Sequence, residues 1–293
     1  MIEKLVQYKK NRYRGNLQKA FEALYRRSNY SYMINDVLKQ QGVSKETEEY
    51  KYHYLIHKLT HIKEVDGNFS MKRIGSNYDG GYILAKDNDA NSYSSSKIAY
   101  SLGISDDVSF DLDLAKEGYA LYQYDHTIDS LPYENTNFHW DKIGITGGRE
   151  TDQLKHLDTL LRINGHEDKE GMILKADIEG AEWAMIHNCS EKMLKKFDQI
   201  IIEFHSIFDF SKRKYMINTL KKISNTHQVI HVHANNNSFV YFADDLITPD
   251  VIEVTYLLKE KYKFNDVDRI LPLSIDSPCR LEYGDIIPGR WNV

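Results

Sequence analysis

The chain shows two successive patterns of apolar and polar positions. Over residues 5–59 the apolar residues recur at helical spacing, with Leu17, Phe21 and Leu24 on one face, which predicts a helical cap. From about residue 97 onward, short apolar runs alternate with helical stretches, the pattern of an α/β domain whose helices cover a sheet. We therefore expect a helical N-terminal extension over residues 1–65 and a single α/β domain over residues 66–293.

Seven apolar runs have the length of strands, which predicts one layered sheet. They lie at residues 97–102, 120–124, 137–143, 172–176, 199–204, 228–233 and 252–257. Helical stretches such as 152–162 and 213–224 separate most of them, which predicts parallel strands joined by crossovers. The last two runs are joined without an obvious helix, so we expect an antiparallel pair at the edge. The fold class is α/β, with a mostly parallel sheet and one antiparallel strand.

The composition is that of an ordinary folded protein. Of 293 residues, 41% are hydrophobic and 28% are charged, which argues against disorder. No apolar run approaches the roughly 18 residues of a membrane span, and the first residues lack the apolar core of a signal peptide. We therefore expect a cytoplasmic protein with no integral membrane association. The cysteines Cys189 and Cys279 form neither a disulfide framework nor a metal knuckle, which predicts two buried or incidental thiols.

The net charge of −5 is unevenly distributed. Residues 1–27 carry eight Lys and Arg against two Glu, so the head is basic and the remainder is acidic. A basic head could contact RNA or an anionic surface, but a solvated helix face is the more frequent meaning of such a run. The acidic remainder disfavours a nucleic acid partner. The extension could pack on the main domain, close over a substrate or form the contact of a homo-oligomer, and the sequence leaves these open.

Two carboxylates follow the fourth predicted strand. The segment reads MILKADIEGAE, and Asp177 and Glu179 are two residues apart, so in extended backbone their side chains leave on the same side. A helix begins after Gly180, and its positive end would lie beside these acids. Ligands of open parallel sheets bind outside the carboxyl ends of the strands. We therefore expect a ligand site here rather than a surface loop that holds two acids by chance.

The first predicted strand ends in a glycine turn of unusual charge. Gly103 opens the segment GISDDV, and Asp125 ends the second strand about 20 residues later, a spacing that suits a carboxylate on the ribose of an adenosine. A dinucleotide would require a glycine-rich turn at its diphosphate, whereas this turn has one glycine and two acids. Negative charge suits the sulfonium and ammonium of S-adenosylmethionine. The turn therefore favours that methyl donor over NAD.

These blocks carry a family resemblance. The segments SLGISDDVSFD, YDHT, LKADIEGAE and IIEFH resemble the FkbM-type class of S-adenosylmethionine-dependent methyltransferases, over about residues 74–257. The resemblance implies a Rossmann-like methyltransferase sheet and methylation of a hydroxyl group on a sugar or natural product. It also implies that Gly103 and Ser105 contact the methionine part of the donor, that Asp106 is a further donor contact, that Asp125 contacts its ribose and that His126 borders its adenine.

The segment DGGY precedes the first predicted strand and has two interpretations. Adjacent glycines permit close approach of a ligand to the backbone, which makes Asp79 and Gly81 candidates for a donor contact. The same dipeptide also signals a plain hairpin turn between Arg73 and Leu84. The sequence leaves both open.

Methyl transfer to an alcohol requires alignment of the acceptor and removal of its proton. Asp177 and Glu179 follow the fourth predicted strand, and Glu203 and His205 follow the fifth, so the four should lie together. Our hypothesis is that Asp177 and Glu203 either bind a divalent metal, magnesium or manganese, or orient the acceptor. His205 or His231 would be the base.

The sixth predicted strand ends in the segment HVHANNN. His231 and His233 alternate onto one face, and the asparagine Asn235 beyond them suits hydrogen bonds to sugar hydroxyls. Glu253 begins the next strand and could point into the same crevice, while Glu179 could also contact the acceptor. We expect substrate contacts for His233, Asn235, Glu253 and Glu179. A zinc or manganese site is an alternative, although no third ligand is evident locally.

These observations converge on one enzymatic function. We expect an S-adenosylmethionine-dependent O-methyltransferase that acts on a hydroxyl of a sugar or of a glycan or polysaccharide precursor, such as a nucleotide-linked sugar. Two alternatives remain, an NAD-dependent oxidoreductase of the same layered fold and a catalytically silent methyltransferase fold that binds a partner.

Overall fold

A computed structural model describes residue 45, residues 47–243 and residues 246–293 of the chain. Most of the predicted helical cap therefore lies outside the described residues. Its last part is helix α1, Glu48–Leu59, and the side chain of Thr47 caps this helix by accepting a hydrogen bond from the Tyr50 amide at 3.1 Å. No helix within the described ranges is both long enough and apolar enough to cross a membrane.

The remaining elements alternate between strands and helices along the chain. The strands are β1 Lys63–Val65, β2 Phe69–Ile74, β3 Tyr82–Asp87, β4 Ile98–Leu102, β5 Ala120–Tyr124, β6 Phe138–Asp141, β7 Gly144–Ile145, β8 Leu154–Lys155, β9 Met172–Ala176, β10 Phe197–Phe204, β11 His227–Ala234, β12 Val240–Ala243, β13 Leu246–Pro249, β14 Ile252–Leu258, β15 Phe264–Asp266, β16 Ile270–Leu271 and β17 Gly289–Arg290. The helices are α2 Ser109–Lys116, α3 Leu157–Ile163, α4 Glu182–Asn188, α5 Glu191–Leu194 and α6 Arg213–Thr226.

All seven predicted strands form one sheet, in the order β11, β14, β10, β9, β4, β5, β6. Every pair is parallel except the two that involve β14, so the predicted mostly parallel sheet with one antiparallel strand is confirmed. The last two predicted strands form the expected antiparallel pair at the edge, with β11 outermost and the reversed strand β14 between β11 and β10. The chain returns from β11 through the small hairpin of β12 and β13 and inserts β14 next to β10.

Both faces of the sheet are covered, as the apolar runs predict. On β9, Leu174 packs in one buried cluster with Ile200 and Ile202 of the neighbouring strand. The alternate residues Ile173 and Ile201 pack in a second cluster on the other face. Successive side chains of a strand point to opposite faces, so the alternation of these isoleucines and leucines fills two layers at once.

The hairpin of β2 and β3 was only an alternative interpretation of the DGGY segment, and the structure confirms it. It lies against the sheet, where the Gln199 side chain bonds the Ala85 amide and carbonyl and the Thr255 hydroxyl donates to the Ile83 carbonyl at 2.7 Å. Helix α6 matches its predicted range. By contrast, the helix predicted from residue 152 begins only at Leu157, because residues 154–155 pair with β7 instead.

Candidate active site

The carboxyl ends of β4, β5, β9 and β10 meet at one edge of the sheet, as the parallel pairing requires. Gly103 follows β4 with φ of +77°, and a Cβ atom at this position would lie 1.7 Å from the Asp177 carbonyl oxygen. The Asp177 amide in turn donates to the Leu102 carbonyl at 3.0 Å. The main reason for a glycine at this position is therefore the close contact between the two strand ends. The approach of a ligand is a secondary reason.

A pocket opens at these strand ends. It brings together six of the residues that the sequence singles out: Gly103, Ser105, Asp125, His126, Asp177 and Glu179. The lining also includes Thr127, Ile145 and Ile178, which the sequence analysis did not assign. Thr127 belongs to the YDHT block and could have been found there, whereas Ile145 comes from a short strand that no pattern signalled.

Asp125 holds the wall of this pocket together. One carboxylate oxygen accepts the amides of Ile104 and Ser105 at 2.8 and 2.9 Å, and the other accepts the amide and hydroxyl of Thr127 at 2.7 and 2.6 Å. Burial raises the pKa of Asp125, but these hydrogen bonds outweigh it and hold the pKa below its usual range. The side chain is therefore ionised, and its hydrogen-bonding capacity is occupied by the turn that faces the pocket.

The loop of the LKADIEGAE block folds around a buried carboxylate. One oxygen of Glu182 accepts the Ile178 amide at 2.9 Å and the Gly180 amide at 3.2 Å. Glu179 has a φ angle of 55°, and Ser105, on the other side of the pocket, has a φ angle of 53°. Non-glycine residues rarely adopt this left-handed conformation outside positions that the surrounding structure enforces. The motif thus specifies the shape of the loop as well as its acids.

Asp177, Glu203 and His205 lie together as predicted. One ligand atom from each falls within 4.8 Å of the other two, and the Nε2 atom of His205 lies 3.8 Å from Asp177 and 3.6 Å from Glu203. Its Nδ1 atom is 2.9 Å from the buried Glu182 carboxylate, which fixes the orientation of the ring.

Two further residues hold this acidic cluster in place. The hydroxyl of Tyr82, which is fully buried, donates to Asp177 at 2.8 Å and reaches Glu203 at 3.5 Å. The Lys175 ammonium donates to the Gly103 carbonyl at 2.5 Å and lies 3.8 Å from Asp177. Tyr82 ends the DGGY segment and Lys175 lies in the LKADIEGAE segment, but nothing in a sequence pattern says that Tyr82 reaches across to the two acids.

Negative charge dominates the electrostatics of the cluster. Burial lowers the pKa of His205, but the hydrogen bond with Glu182 and the charges of Glu203 and Asp177 outweigh it and raise the pKa to about 10. Burial, then the neighbouring Asp177, raises the pKa of Glu203 well above its ordinary value. For the same reasons the pKa of Asp79 rises to about 6. His205 therefore carries a proton in this state and is not a free base.

Other candidates lie outside the pocket. Asp106 is exposed on its turn and does not line the pocket. A Cβ atom on Gly81 would meet the Ser76 carbonyl at 2.0 Å, so the close approach at this glycine is to its own hairpin turn. His231 is buried on β11, with Nε2 2.8 Å from the Asp276 carboxylate, and is not part of the acidic cluster.

The residues expected to contact the acceptor are buried, except for exposed Glu179. His233 is only 1% exposed and lies between the carboxylates of Glu253 and Asp285. The amide of Asn235 donates to Glu203 at 2.7 Å. The structure thus joins these residues to the acidic cluster and to residues near the chain end, rather than to open solvent.

A mostly parallel seven-stranded sheet with β14 reversed, and a pocket at the ends of β4, β5 and β9, defines a Rossmann-like methyltransferase fold. The sequence model of the family described as "Methyltransferase FkbM domain" matches residues 3–272. The chain belongs to this family of methyltransferases, and the resemblance predicted from its motifs is confirmed.

Two curated relatives share part of this sequence. Both are described as "Probable methyltransferase-like protein 24", one from Homo sapiens at 29% identity over 118 residues and one from Rattus norvegicus at 28% over 118 residues. Each match covers 36% of this chain and 32% of the relative. The chain therefore spans about a third of the length of the curated relatives it matches.

Proposed function

We propose that the chain is an S-adenosylmethionine-dependent O-methyltransferase that acts on a hydroxyl of a sugar or of a glycan or polysaccharide precursor. The observation that carries the proposal is the acidic pocket at the strand ends, whose walls are Gly103, Ser105, ionised Asp125, Asp177 and Glu179. An acidic wall attracts the sulfonium and ammonium groups of the donor and repels the diphosphate of NAD. The charge of the site therefore favours the methyl donor.

The donor would lie across the ends of β4 and β5. The methionine part would contact Gly103 and Ser105, and the adenine would border His126. In our proposal Asp125 acts chiefly through the turn it holds, because both of its oxygens already bond the protein. A ribose hydroxyl would share that carboxylate with the backbone amides.

The acceptor would bind at the cluster of Asp177, Glu203 and His205. The carboxylates of Asp177 and Glu203 fit a divalent cation such as Mn²⁺ or Mg²⁺, and such an ion would supply positive charge that lowers the pKa of the acceptor hydroxyl. Asp177 and Glu203 would hold the ion or orient the acceptor directly.

His205 would take the proton of the hydroxyl. Its pKa is raised because carboxylates surround it, so positive charge that arrives beside Asp177 and Glu203 reverses that effect and frees the ring as a base. Glu182 on the far nitrogen keeps Nε2 directed at the reaction site. We propose His205 rather than His231 for this step, because His231 is bonded to Asp276 on the other side of β14.

The test is incubation of the full chain with radiolabelled S-adenosylmethionine and a panel of nucleotide-linked and free sugars. EDTA, followed by Mg²⁺ or Mn²⁺, would show whether a metal is needed. We expect Asp177→Asn and Glu203→Gln to reduce turnover by about 100-fold and to change the affinity for S-adenosylhomocysteine, measured by calorimetry, far less. The matched controls are the exposed residues Asp168→Asn and Glu167→Gln.

The outcomes separate the alternatives. Heat with NADH and none with S-adenosylhomocysteine would favour an oxidoreductase. Binding of S-adenosylhomocysteine without transfer to any sugar would favour the silent binding protein or another acceptor class. Full activity of both acid variants would place the reacting centre elsewhere. As the sequence predicts, we propose that the acceptor is a small molecule rather than a nucleic acid. We also propose that the reaction takes place in the cytoplasm.

A further inference from the structure

A second group of metal-binding side chains lies beside the acidic cluster. His233 on β11, Glu253 on β14 and Cys279 in the C-terminal segment are all buried, and one ligand atom of each lies within 4.8 Å of the other two. The Nδ1 atom of His233 is 3.1 Å from Glu253, and the Cys279 thiol donates to the other oxygen of Glu253 at 3.2 Å. Three ligands, two from neighbouring strands and one from the C-terminal segment, thus converge at one point.

The outer side of this group also matches a metal site. The second ring nitrogen of His233, Nε2, lies 3.3 Å from both oxygens of Asp285. Histidines that bind metals usually donate their other ring N–H to a carboxylate or carbonyl, which fixes the ring and raises its basicity. Asp285 occupies that position, while Nδ1 points toward Glu253 and Cys279.

The ligand types select the ion. A thiolate, an imidazole nitrogen and a carboxylate oxygen are the ligands of Zn²⁺ in proteins, whereas Mg²⁺ and Ca²⁺ are bound by oxygen. The acidic cluster next to it has no sulfur ligand, so the two groups differ in the ions they prefer. Glu203 and Glu253 are direct partners across β10 and β14, which makes the two groups neighbours in the sheet.

Polar contacts attach the segment around Cys279 to its neighbours. The side-chain oxygen of Asn236 accepts the Arg280 amide at 2.8 Å, and its nitrogen donates to the Arg280 carbonyl at 2.9 Å. The Asp79 amide donates to the Cys279 carbonyl at 3.3 Å. An ion shared by β11, β14 and this segment would join all three.

We propose that His233, Glu253 and Cys279 bind one Zn²⁺ ion that fastens the C-terminal segment over the ends of β11 and β14. Water would complete the fourth position. The Cys279 thiol and the Nδ1–H group of His233 each give up a proton to solvent as their atoms bind the ion, while Nε2–H of His233 stays bonded to Asp285, so no oxidant or reductant is required. The proposal does not depend on the methyl transfer reaction.

Cobalt substitution tests the site directly. The purified full chain, stripped with a chelator, is titrated with Co²⁺ and then with Zn²⁺. We expect a near-ultraviolet absorption band from charge transfer between thiolate and cobalt, and its loss when Zn²⁺ displaces Co²⁺. Cys279→Ser should abolish the band. The matched control is Cys189→Ser, since Cys189 is also buried but lies outside the group and should leave the band unchanged.

Two further measurements keep the test decisive if Cys279→Ser folds poorly. Asp285→Asn should weaken the affinity for Zn²⁺ by about 10- to 100-fold, because Asp285 acts through His233. Added Zn²⁺ should raise the melting temperature of the wild-type chain. A wild-type chain that binds Co²⁺ without a thiolate band, or a Cys189→Ser variant that loses the band, would overturn the proposal. Asp177→Asn should retain the band, which separates this site from the acidic cluster.

Discussion

The Asp177 carbonyl oxygen lies 1.7 Å from the position of a Cβ atom on Gly103. This contact joins the ends of β4 and β9, which form two walls of the same pocket. Because Asp177 belongs to both the pocket and the acidic cluster, the geometry of both depends on the absence of a side chain at Gly103.

We therefore expect Gly103→Ala to disrupt the site. The new methyl group would force the two strand ends apart, and a displacement of about 1 Å can cost roughly 100-fold in rate. Calorimetry with S-adenosylhomocysteine and the methyl transfer assay would measure the two effects. Gly118→Ala is the matched control, since Gly118 also has positive φ, 84°, but has nothing within 4 Å of its Cβ position. Equal effects of the two variants would show that backbone strain alone is responsible.

Features that depend on a local sequence pattern are predictable, and features that depend on tertiary contacts are not. The seven strands could be found because each is a local apolar run, and parallel pairing then places Asp177, Glu203 and His205 at one edge. Tyr82 and Cys279 could not be found in this way. Tyr82 comes from a hairpin that lies across the sheet, and Cys279 comes from an irregular segment without periodicity, so only the tertiary contacts bring them to the site.

The sequence predicts where Asp125 lies but not what it bonds. Its position after β5 follows from the spacing, but four hydrogen bonds to Ile104, Ser105 and Thr127 follow from the fold of the turn. A sequence pattern gives the distance between two residues along the chain and not the number of partners each one has. The carboxylate therefore holds the turn that lines the pocket.

Asp125→Asn should weaken donor binding while the chain remains folded. The side-chain NH₂ group of asparagine would face the backbone N–H groups of the turn or the N–H and O–H groups of Thr127, from which it cannot accept hydrogen bonds as the carboxylate does. Losing a hydrogen bond to a charged group costs about 1.5–3 kcal/mol. That corresponds to roughly 10- to 100-fold in the dissociation constant of S-adenosylhomocysteine. Asp129→Asn, on a side chain that is 95% exposed, should change it little. Unchanged affinity in Asp125→Asn would show that the turn does not depend on this charge.

Tyr82→Phe should reduce turnover more than donor affinity. The variant removes the hydroxyl that donates to Asp177 at 2.8 Å and keeps the ring that packs on Phe110. A hydrogen bond to a carboxylate contributes about 1.5–3 kcal/mol, so its loss should decrease kcat by at least about tenfold. Tyr256→Phe is the matched control, because the Tyr256 hydroxyl is buried without a hydrogen-bond partner among the described residues. A normal kcat in Tyr82→Phe would separate Asp177 from the chemistry.

The stability of the fold should depend on His53 in acid. This ring is fully buried, stacks on Tyr241 with centroids 3.8 Å apart and has no hydrogen-bond partner for either nitrogen among the described residues. Burial, then the nearby His57, lowers the pKa of His53 from 6.5 to about 3. The folded chain keeps the ring neutral, whereas the unfolded chain protonates it below pH 6.5. The part of the free energy of unfolding that depends on this ring is therefore at its maximum above pH 6.5. It is lost as the pH falls toward 3, by up to about 1.4 kcal/mol per pH unit.

His53→Phe should flatten that dependence. Phenylalanine keeps the aromatic packing against Tyr241 and removes two buried polar atoms, so we expect a free energy of unfolding at pH 7 that is unchanged or higher by about 1 kcal/mol. Urea unfolding at pH 7, 6 and 5 would give the slope for wild type and variant. His139→Phe is the control, because His139 is exposed and stacks on Tyr122; its slope should match that of wild type. An equal loss of stability in His53→Phe and wild type between pH 7 and 5 would contradict a neutral buried ring.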